Sequence, residues 1–233
     1  MTDSVNEIIA ALQDLSEEKR IKLSKKSFPT SMRIIGVTNP NMRIVLGEIQ
    51  HATKDYNRDQ KIRLIQELIN TNIFECQQIA FEYLSRHKSL LKSLKEKEIL
   101  ALGNNLDNWV SVDAYSIYIF GAAWQYGIVK DKTVLGFLNK KDFWMRRVAV
   151  VSTVDLNLKS HGGTGDAAHT IDICKRCVDD HHDMIVKAVS WALRELSKRD
   201  KVVVEDFIND YEDRLHSKVL REVRNKLVTG KKN

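Results

Sequence analysis

Apolar residues recur at three- and four-residue intervals through almost the whole chain, the spacing that gives a helix one inward face. The pattern predicts helices over residues 3–14, 16–26, 40–53, 57–71, 73–87, 90–102, 107–126, 131–139, 142–158, 166–180, 182–198, 202–213 and 215–228. No alternating strand pattern of useful length interrupts them. Helix-start signals fall between these runs at Asn39-Pro40-Asn41, Gly103-Asn104-Asn105 and Gly162-Gly163-Thr164-Gly165-Asp166. The intervals suit consecutive helix pairs joined by short turns. The expected fold is therefore all-α, an α-solenoid of divergent helix pairs in which each pair buries its face against the next. No clean repeat and no low-complexity linker divides the chain. One domain over 1–233 is expected, with a flexible basic tail near 229–233.

Composition agrees with this pattern. Two prolines and ten glycines in 233 residues leave long segments without helix breakers, and 43% hydrophobic residues suffice for a sizeable core. Lys and Arg outnumber Asp and Glu by 37 to 31, a net charge of +6 that suits nucleic acid without demanding it. Three cysteines (Cys76, Cys174, Cys177) do not make a secreted disulfide framework. The opening MTDSVNEIIAALQDL has neither a basic nor a long apolar segment, so no signal peptide is expected. The Trp109–Val129 run is long enough to raise a membrane span, but Asp113, Gln125 and the tyrosines point instead to a buried core helix.

Within that run lies the main chemical oddity. From Asn108 to Val129 the only Asp, Glu, Lys, Arg or His is Asp113. A lone carboxylate on an apolar helix is costly to bury unless it is paired or used. Trp109 precedes it by four residues and shares its face, and Ser116, Ile117, Phe120 and Trp124 continue the stripe. The site reading competes with a plain one, in which Asp113 caps a neighbouring helix or pairs with a core arginine. Arg147 shows the same oddity with opposite sign. It interrupts the apolar stripe Phe143, Val150, Val151, Val154 and Leu158, while Arg146 points elsewhere. Its guanidinium suits Asp113 or a phosphate, or a purely structural pairing.

Further on, Lys187, Trp191, Arg194 and Lys198 line one helix face, apart from the core stripe Ile185, Val189, Ala192, Leu193 and Leu196. An indole among three cations suits a polyanion with flat groups, or equally a Trp wedged between helices with solvated lysines around it. From Arg214 to the end there are seven Lys/Arg, Lys218, Arg221 and Arg224 among them, against one acid, Glu222. Lys19, Arg20, Lys22, Lys25 and Lys26 form a second basic patch. Either is an ordinary solvated face unless joined into a track. Cys174-x-x-Cys177 with His181 and His182 has metal-like spacing, but it lies along one helix without a second CxxC, so buried thiols are expected and no metal. The glycine-rich loop from His161 to Gly165 offers backbone N–H groups to a phosphate or is a plain connection. It lacks the Gly-Lys-Ser/Thr ending of a nucleotide-binding loop.

Taken together, Trp109-x-x-x-Asp113, the FWMRRVAVVS segment and KAVSWALREL resemble the DNA alkylation repair glycosylases with HEAT-like repeats, and IIGVTNPNMR is similar to an early stretch of that family. The order and approximate spacing of the segments match over nearly the whole chain. The resemblance implies a HEAT-like solenoid whose concave basic surface curves around duplex DNA, and excision of N3- or N7-alkylated purines without cofactor or metal. It implies a catalytic carboxylate at Asp113, tryptophans against sugar and lesion at Trp109 and Trp191, and an active-site arginine at Arg147, with Arg146 as fallback. DNA contacts are expected from Lys187, Arg194, Lys198, Arg146, Lys218, Arg221 and Arg224. A monomer in the bacterial cytoplasm, with no membrane contact, is expected. The segment Lys25–Phe28 has no tyrosine where some members place an aromatic in the DNA cleft, and the Lys159–Asp166 loop is longer and richer in glycine than expected. The alternative is a non-catalytic DNA-binding solenoid that recognises damaged or branched DNA. A protein-interaction scaffold is a third possibility, against which the basic faces count.

Overall fold

A computed structural model describes residues 2–232, so the expected tail is seen only as far as Lys232. The described residues fall into two compact units, divided after Ile119. In the first lie α1 (Asp3–Asp14), α2 (Glu18–Ser27), α3 (Asn39–Ala52), α4 (Arg58–Asn70), α5 (Phe74–Arg86), α6 (Lys88–Lys92), α7 (Glu96–Leu102) and α8 (Trp109–Tyr115). The second contains α9 (Ala122–Gln125), α10 (Asp131–Leu138), α11 (Phe143–Asn157), α12 (Ala167–Lys175), α13 (Asp183–Leu196), α14 (Lys201–Asp210) and α15 (Ser217–Thr229). A π-helical segment, Ser116–Gly121, runs between α8 and α9. Apart from one isolated bridge, Arg33 to Ile73, the described backbone contains no extended pairing.

Each unit alternates helices between two layers. In the second, α11, α13 and α15 stack in series, while α10 packs on α11, α12 on both α11 and α13, and α14 on both α13 and α15. In the first, α3, α5 and α8 stack in series, with α4 against α5 and α1 against α3 and α4. This is the arrangement that repeated amphipathic pairs produce, since each pair exposes an apolar face only its neighbour covers. The inner helices are accordingly the most buried. Every residue of α11 from Arg147 to Asn157 is buried, as are Ile185, Ala188, Val189, Ala192, Leu193 and Leu196 of α13. Among the described residues no helix is long and apolar enough to cross a membrane.

Local chemistry explains most helix starts. Thr38 accepts from the Asn41 N–H and places Pro40 in the first turn of α3; Asn57 and Gln60 cap α4 reciprocally; Asn108, Asp142 and Asp166 accept from first-turn N–H groups of α8, α11 and α12. The expected helix 90–102 is two helices. Ser93 Oγ donates to the Leu90 carbonyl at 2.7 Å, Arg58 takes up the Ser93 carbonyl at 3.2 Å, and Glu98 accepts the Lys95 N–H at 2.7 Å. The first helix is thereby closed and a second opened three residues later, a side-chain competition that hydrophobic spacing does not register.

The glycine-rich connection after α11 has a structural task. The N–H groups of Gly162, Gly163 and Gly165 donate to the carbonyls of Lys159, Leu158 and Leu156, and the Asp166 N–H donates to Asn157 Oδ1. They close the end of α11, so they are not presented to a phosphate. A Cβ at Gly163 would lie 2.4 Å from the Asp155 carbonyl oxygen and 2.6 Å from that of Leu156. Gly163→Ala is therefore expected to cost about 1–3 kcal/mol, read as a lowered urea midpoint with unchanged slope.

Candidate functional site

The first unit carries Trp109 and Asp113. Asn108 starts α8, so Trp109 is its first helical residue, and Asp113 follows one turn later on the same face. Trp109 is 37% exposed, unusually high for a large aromatic in a mostly buried segment, and Asp113 is half-buried. The predicted stripe does not continue as expected. From Ser116 the backbone is π-helical, and the wider turn rotates later residues out of phase with Asp113. Ser116 and Phe120 are completely buried and Trp124 nearly so, and all three belong to the core.

The indole of Trp109 is fixed from outside its own helix. Its Nε1–H donates to the Ser27 carbonyl at 3.2 Å, and its ring meets that of Phe28 edge-on, with centroids 6.4 Å apart at 86°. Phe28 is buried with Met32, Ile34 and Phe74. No tyrosine occupies this stretch, but an aromatic does, lying beneath the tryptophan.

The second unit carries the other predicted residues. Arg147 is 5% exposed, and its Nη1 donates to the Met184 carbonyl at 2.5 Å, joining α11 to the first turn of α13. Arg146 points away, as its spacing predicts. It pairs with Asp180 at 2.8 Å and donates to the carbonyls of Lys140 and Lys141. Phe143 stacks on His182, centroids 4.1 Å apart. Trp191 is half-buried on α13.

The basic residues separate into two sets. Lys187 and Lys218 are brought together by Asp183, at 2.6 Å and 3.5 Å, which holds that carboxyl below its usual range, chiefly through Lys187. Lys198 pairs with Glu195 at 2.6 Å, Arg224 with Glu212 at 2.8 Å, and Arg221 is exposed. Arg194 sits deeper than its spacing suggests. Its Nε donates to Ser190 Oγ at 3.2 Å and lies 3.9 Å from Glu222 of α15, whose carboxylate also accepts from Ser190 at 2.6 Å. Burial lowers its pKa despite the two nearby carboxylates. The face expected to be lined by four residues therefore has Arg194 turned inward, because α15 brings an acid beneath it.

Cys174 and Cys177 are both buried thiols, and burial pushes Cys177 up to about 12. His181 and His182 are exposed. Among the described residues no three His, Cys, Asp or Glu side chains are placed to hold a metal ion.

One polar cluster escaped sequence reasoning because its members lie far apart in the chain. A cavity of about 510 Å³ is bordered by Trp124, Lys130, Asp131, Asp166 and His169. His169 Nδ1 lies 2.7 Å from Asp166 and Nε2 lies 3.5 Å from Asp131, which also accepts from Trp124 Nε1 at 2.8 Å. Burial acts to lower the His169 pKa, but Asp166 and then Asp131 outweigh it and raise it above the ordinary imidazole value. The folded state thus holds this proton more tightly than the unfolded chain. The resulting stability is complete below about pH 6.5 and is lost as pH rises through the folded pKa. His169→Gln should flatten the fall in urea midpoint above neutral pH, by less than about 1 kcal/mol because the imidazole is partly solvated.

The sequence model of a family described as "DNA alkylation repair enzyme" matches residues 8–227. No curated protein matches the chain. Among solved structures, a predicted DNA alkylation repair enzyme from Enterococcus faecalis is similar with a TM-score of 0.73 and 19% identity, covering 92% of this chain and 97% of its own. At that identity the likeness speaks for the fold.

Proposed function

We propose, for a chain that belongs to the DNA alkylation repair enzyme family, that it is a DNA glycosylase acting on cationic N3- and N7-alkylated purines in duplex DNA. The observation that carries the reading is Asp113, half-buried, one helical turn from the accessible Trp109, and the only charge in a 22-residue run from Asn108 to Val129. The divergent helix pairs of each unit are read here as HEAT-like, the scaffold on which the DNA-facing side chains are carried.

The chemistry needs little more than these groups. An alkylated purine already carries positive charge. When the C1′–N bond breaks, the bonding pair goes to the base, which leaves neutral, and the sugar becomes oxocarbenium-like. A water oxygen then bonds to C1′ and its proton passes to Asp113 and on to solvent. Asp113, half-buried, stabilises the sugar cation and orients that water. Trp109 and Trp191 offer electron-rich rings to a cationic nucleoside. Arg147, buried and braced on the Met184 carbonyl, supplies a fixed positive charge for a backbone phosphate, and Arg146 is the alternative. Uncharged bases are spared because their leaving-group barrier stays high. Lys187, Lys198, Lys218, Arg221 and Arg224 are assigned to the phosphate backbone, with Arg194 bracing α13 beneath them.

The test is release of 7-methylguanine from methylated duplex by the full chain in EDTA. Release supports a metal-independent glycosylase. No release together with tight, salt-sensitive binding to the same duplex overturns catalysis and leaves a non-catalytic DNA-binding protein. Absence of both removes DNA as substrate. In the binding experiment, Lys218→Ala and Arg221→Ala should each lower the slope of log K against log salt by about 1, equally for damaged and intact duplex.

A further inference from the structure

Trp109 owes its position to residues that sequence reasoning did not single out. Asp107, two residues earlier, reaches across to the loop that follows α2. One carboxylate oxygen accepts from Thr30 Oγ1 at 2.5 Å and Asn108 Nδ2 at 3.1 Å, and the other from the Ser31 N–H at 2.5 Å and Ser31 Oγ at 2.7 Å. Asn108 reinforces the junction. Its Nδ2 also lies 3.1 Å from Ser111 Oγ, while its Oδ1 accepts the Ser111 N–H at 2.9 Å. Four donors on one carboxylate, three of them more than 75 residues away in sequence, form a clamp. Burial works against the ionised form, but the Thr30 and Ser31 donors prevail and hold the Asp107 pKa below its usual range.

The clamped loop is the one that seats the indole. Ser27, whose carbonyl takes the Trp109 N–H, and Phe28, whose ring meets it edge-on, lie directly before Thr30 and Ser31. α2, of which Ser27 is the last residue, has no buried residue of its own to hold that end in place. Its far end is held by the Glu17 N–H on the Gly36 carbonyl and by Ser16 Oγ on that of Ile35. The near end relies on Phe28 and the Asp107 clamp. Because the indole N–H is engaged by Ser27, Trp109 meets a ligand through its ring carbons.

We propose that Asp107 is a positioning residue for Trp109, acting through the Ser27–Ser31 segment to hold the indole at the angle and depth that a damaged nucleoside requires. This rests on the placement of Trp109 against substrate in the proposed function. Asp107 itself touches no substrate; it removes the freedom of a ring whose misplacement would weaken stacking without preventing DNA from binding.

The experiment uses the full chain labelled with 5-fluorotryptophan. Four resonances arise, from Trp109, Trp124, Trp144 and Trp191, and Trp→Phe variants assign them. Asp107→Ala is expected to shift and broaden the Trp109 signal alone. Asp107→Asn, which keeps an acceptor oxygen for Thr30, should move it less and serves where the alanine variant does not fold. Single-turnover base release should fall about tenfold to a hundredfold in Asp107→Ala, with the Kd for the duplex little changed. An unmoved Trp109 signal in a folded variant overturns the clamp. A moved signal with an undiminished rate overturns the positioning role. If the wild-type chain releases no base, the glycosylase reading fails by itself. The clamp is then decided by the fluorine signal and by whether duplex DNA perturbs Trp109 in wild type but not in Asp107→Ala.

Discussion

Asp113→Asn is expected to lower 7-methylguanine release about 10²–10³-fold while leaving affinity for the same duplex within a few-fold of wild type. The amide is nearly isosteric, so packing around the half-buried position is preserved. What disappears is the negative charge, and only the transition state uses it strongly. In the ground state the positive charge resides on the alkylated base, and it moves to the sugar as the bond breaks. A fixed carboxylate near C1′ therefore gains interaction energy along the reaction coordinate, whereas phosphate contacts elsewhere are the same before and after. Single-turnover release under enzyme excess, paired with equilibrium binding, separates the two effects. Full excision by the variant would remove Asp113 from the mechanism. Loss of binding in proportion to rate would reassign it to DNA recognition.

The largest expected effect on stability comes from a residue with no part in that chemistry. Glu75, in the first turn of α5, is 1% exposed and accepts three consecutive backbone N–H groups, from Ile35 at 2.9 Å, Gly36 at 2.7 Å and Val37 at 3.3 Å. Those residues have no sheet partner, so the carboxylate does for them what a neighbouring strand would do. Gly36 adopts φ +91°, and a Cβ there would lie 2.4 Å from Ile21 Cγ1 and 2.8 Å from the Glu17 carbonyl oxygen. Glu75→Ala leaves buried N–H groups unpaired and is expected to cost at least about 3 kcal/mol, measured by urea unfolding. Glu75→Gln should cost less, because one acceptor oxygen remains. A loss below about 1 kcal/mol for the alanine variant would show that water replaces the carboxylate. The same loop leads back to Phe28 and the seat of Trp109, so Glu75 variants that remain folded should also loosen the indole.

Much of the architecture was legible in the hydrophobic spacing. The helices beginning at Asp3, Asn39, Arg58, Phe74, Asp131, Phe143 and Asp183 lie within a residue or two of their predicted bounds, because capping residues and apolar periodicity act locally. Two departures share a cause. The break at Ser93 and the π-helical segment after Tyr115 arise where side-chain or packing demands override the periodic pattern. Of the candidate site, Trp109 with Asp113 on one face was readable, since one helical turn relates them. Arg147 was recognisable as a charge on an apolar stripe, but its bond to Met184 was not. Arg194 illustrates the limit. Its spacing groups it with Lys187 and Lys198, yet its environment is set by Ser190 below it and by Glu222, 28 residues farther along the chain.

By itself, then, the amino-acid order determined what depends on neighbours within a turn or two: all-helical structure, the positions of most caps, the pairing of helices, and an indole one turn from an isolated carboxylate. The family follows from the same order of segments. Only the tertiary structure decided which polar groups are held and by what. It places Asp107 on Thr30 and Ser31, Glu75 on the 35–37 backbone, Asp131 and Asp166 around His169, and the glycine loop on the end of α11. The physical reason is range. Helix propensity and amphipathicity are summed over adjacent residues, whereas desolvation and hydrogen-bond satisfaction depend on whichever distant segment packs against a group, and for these residues that segment is often tens of positions away.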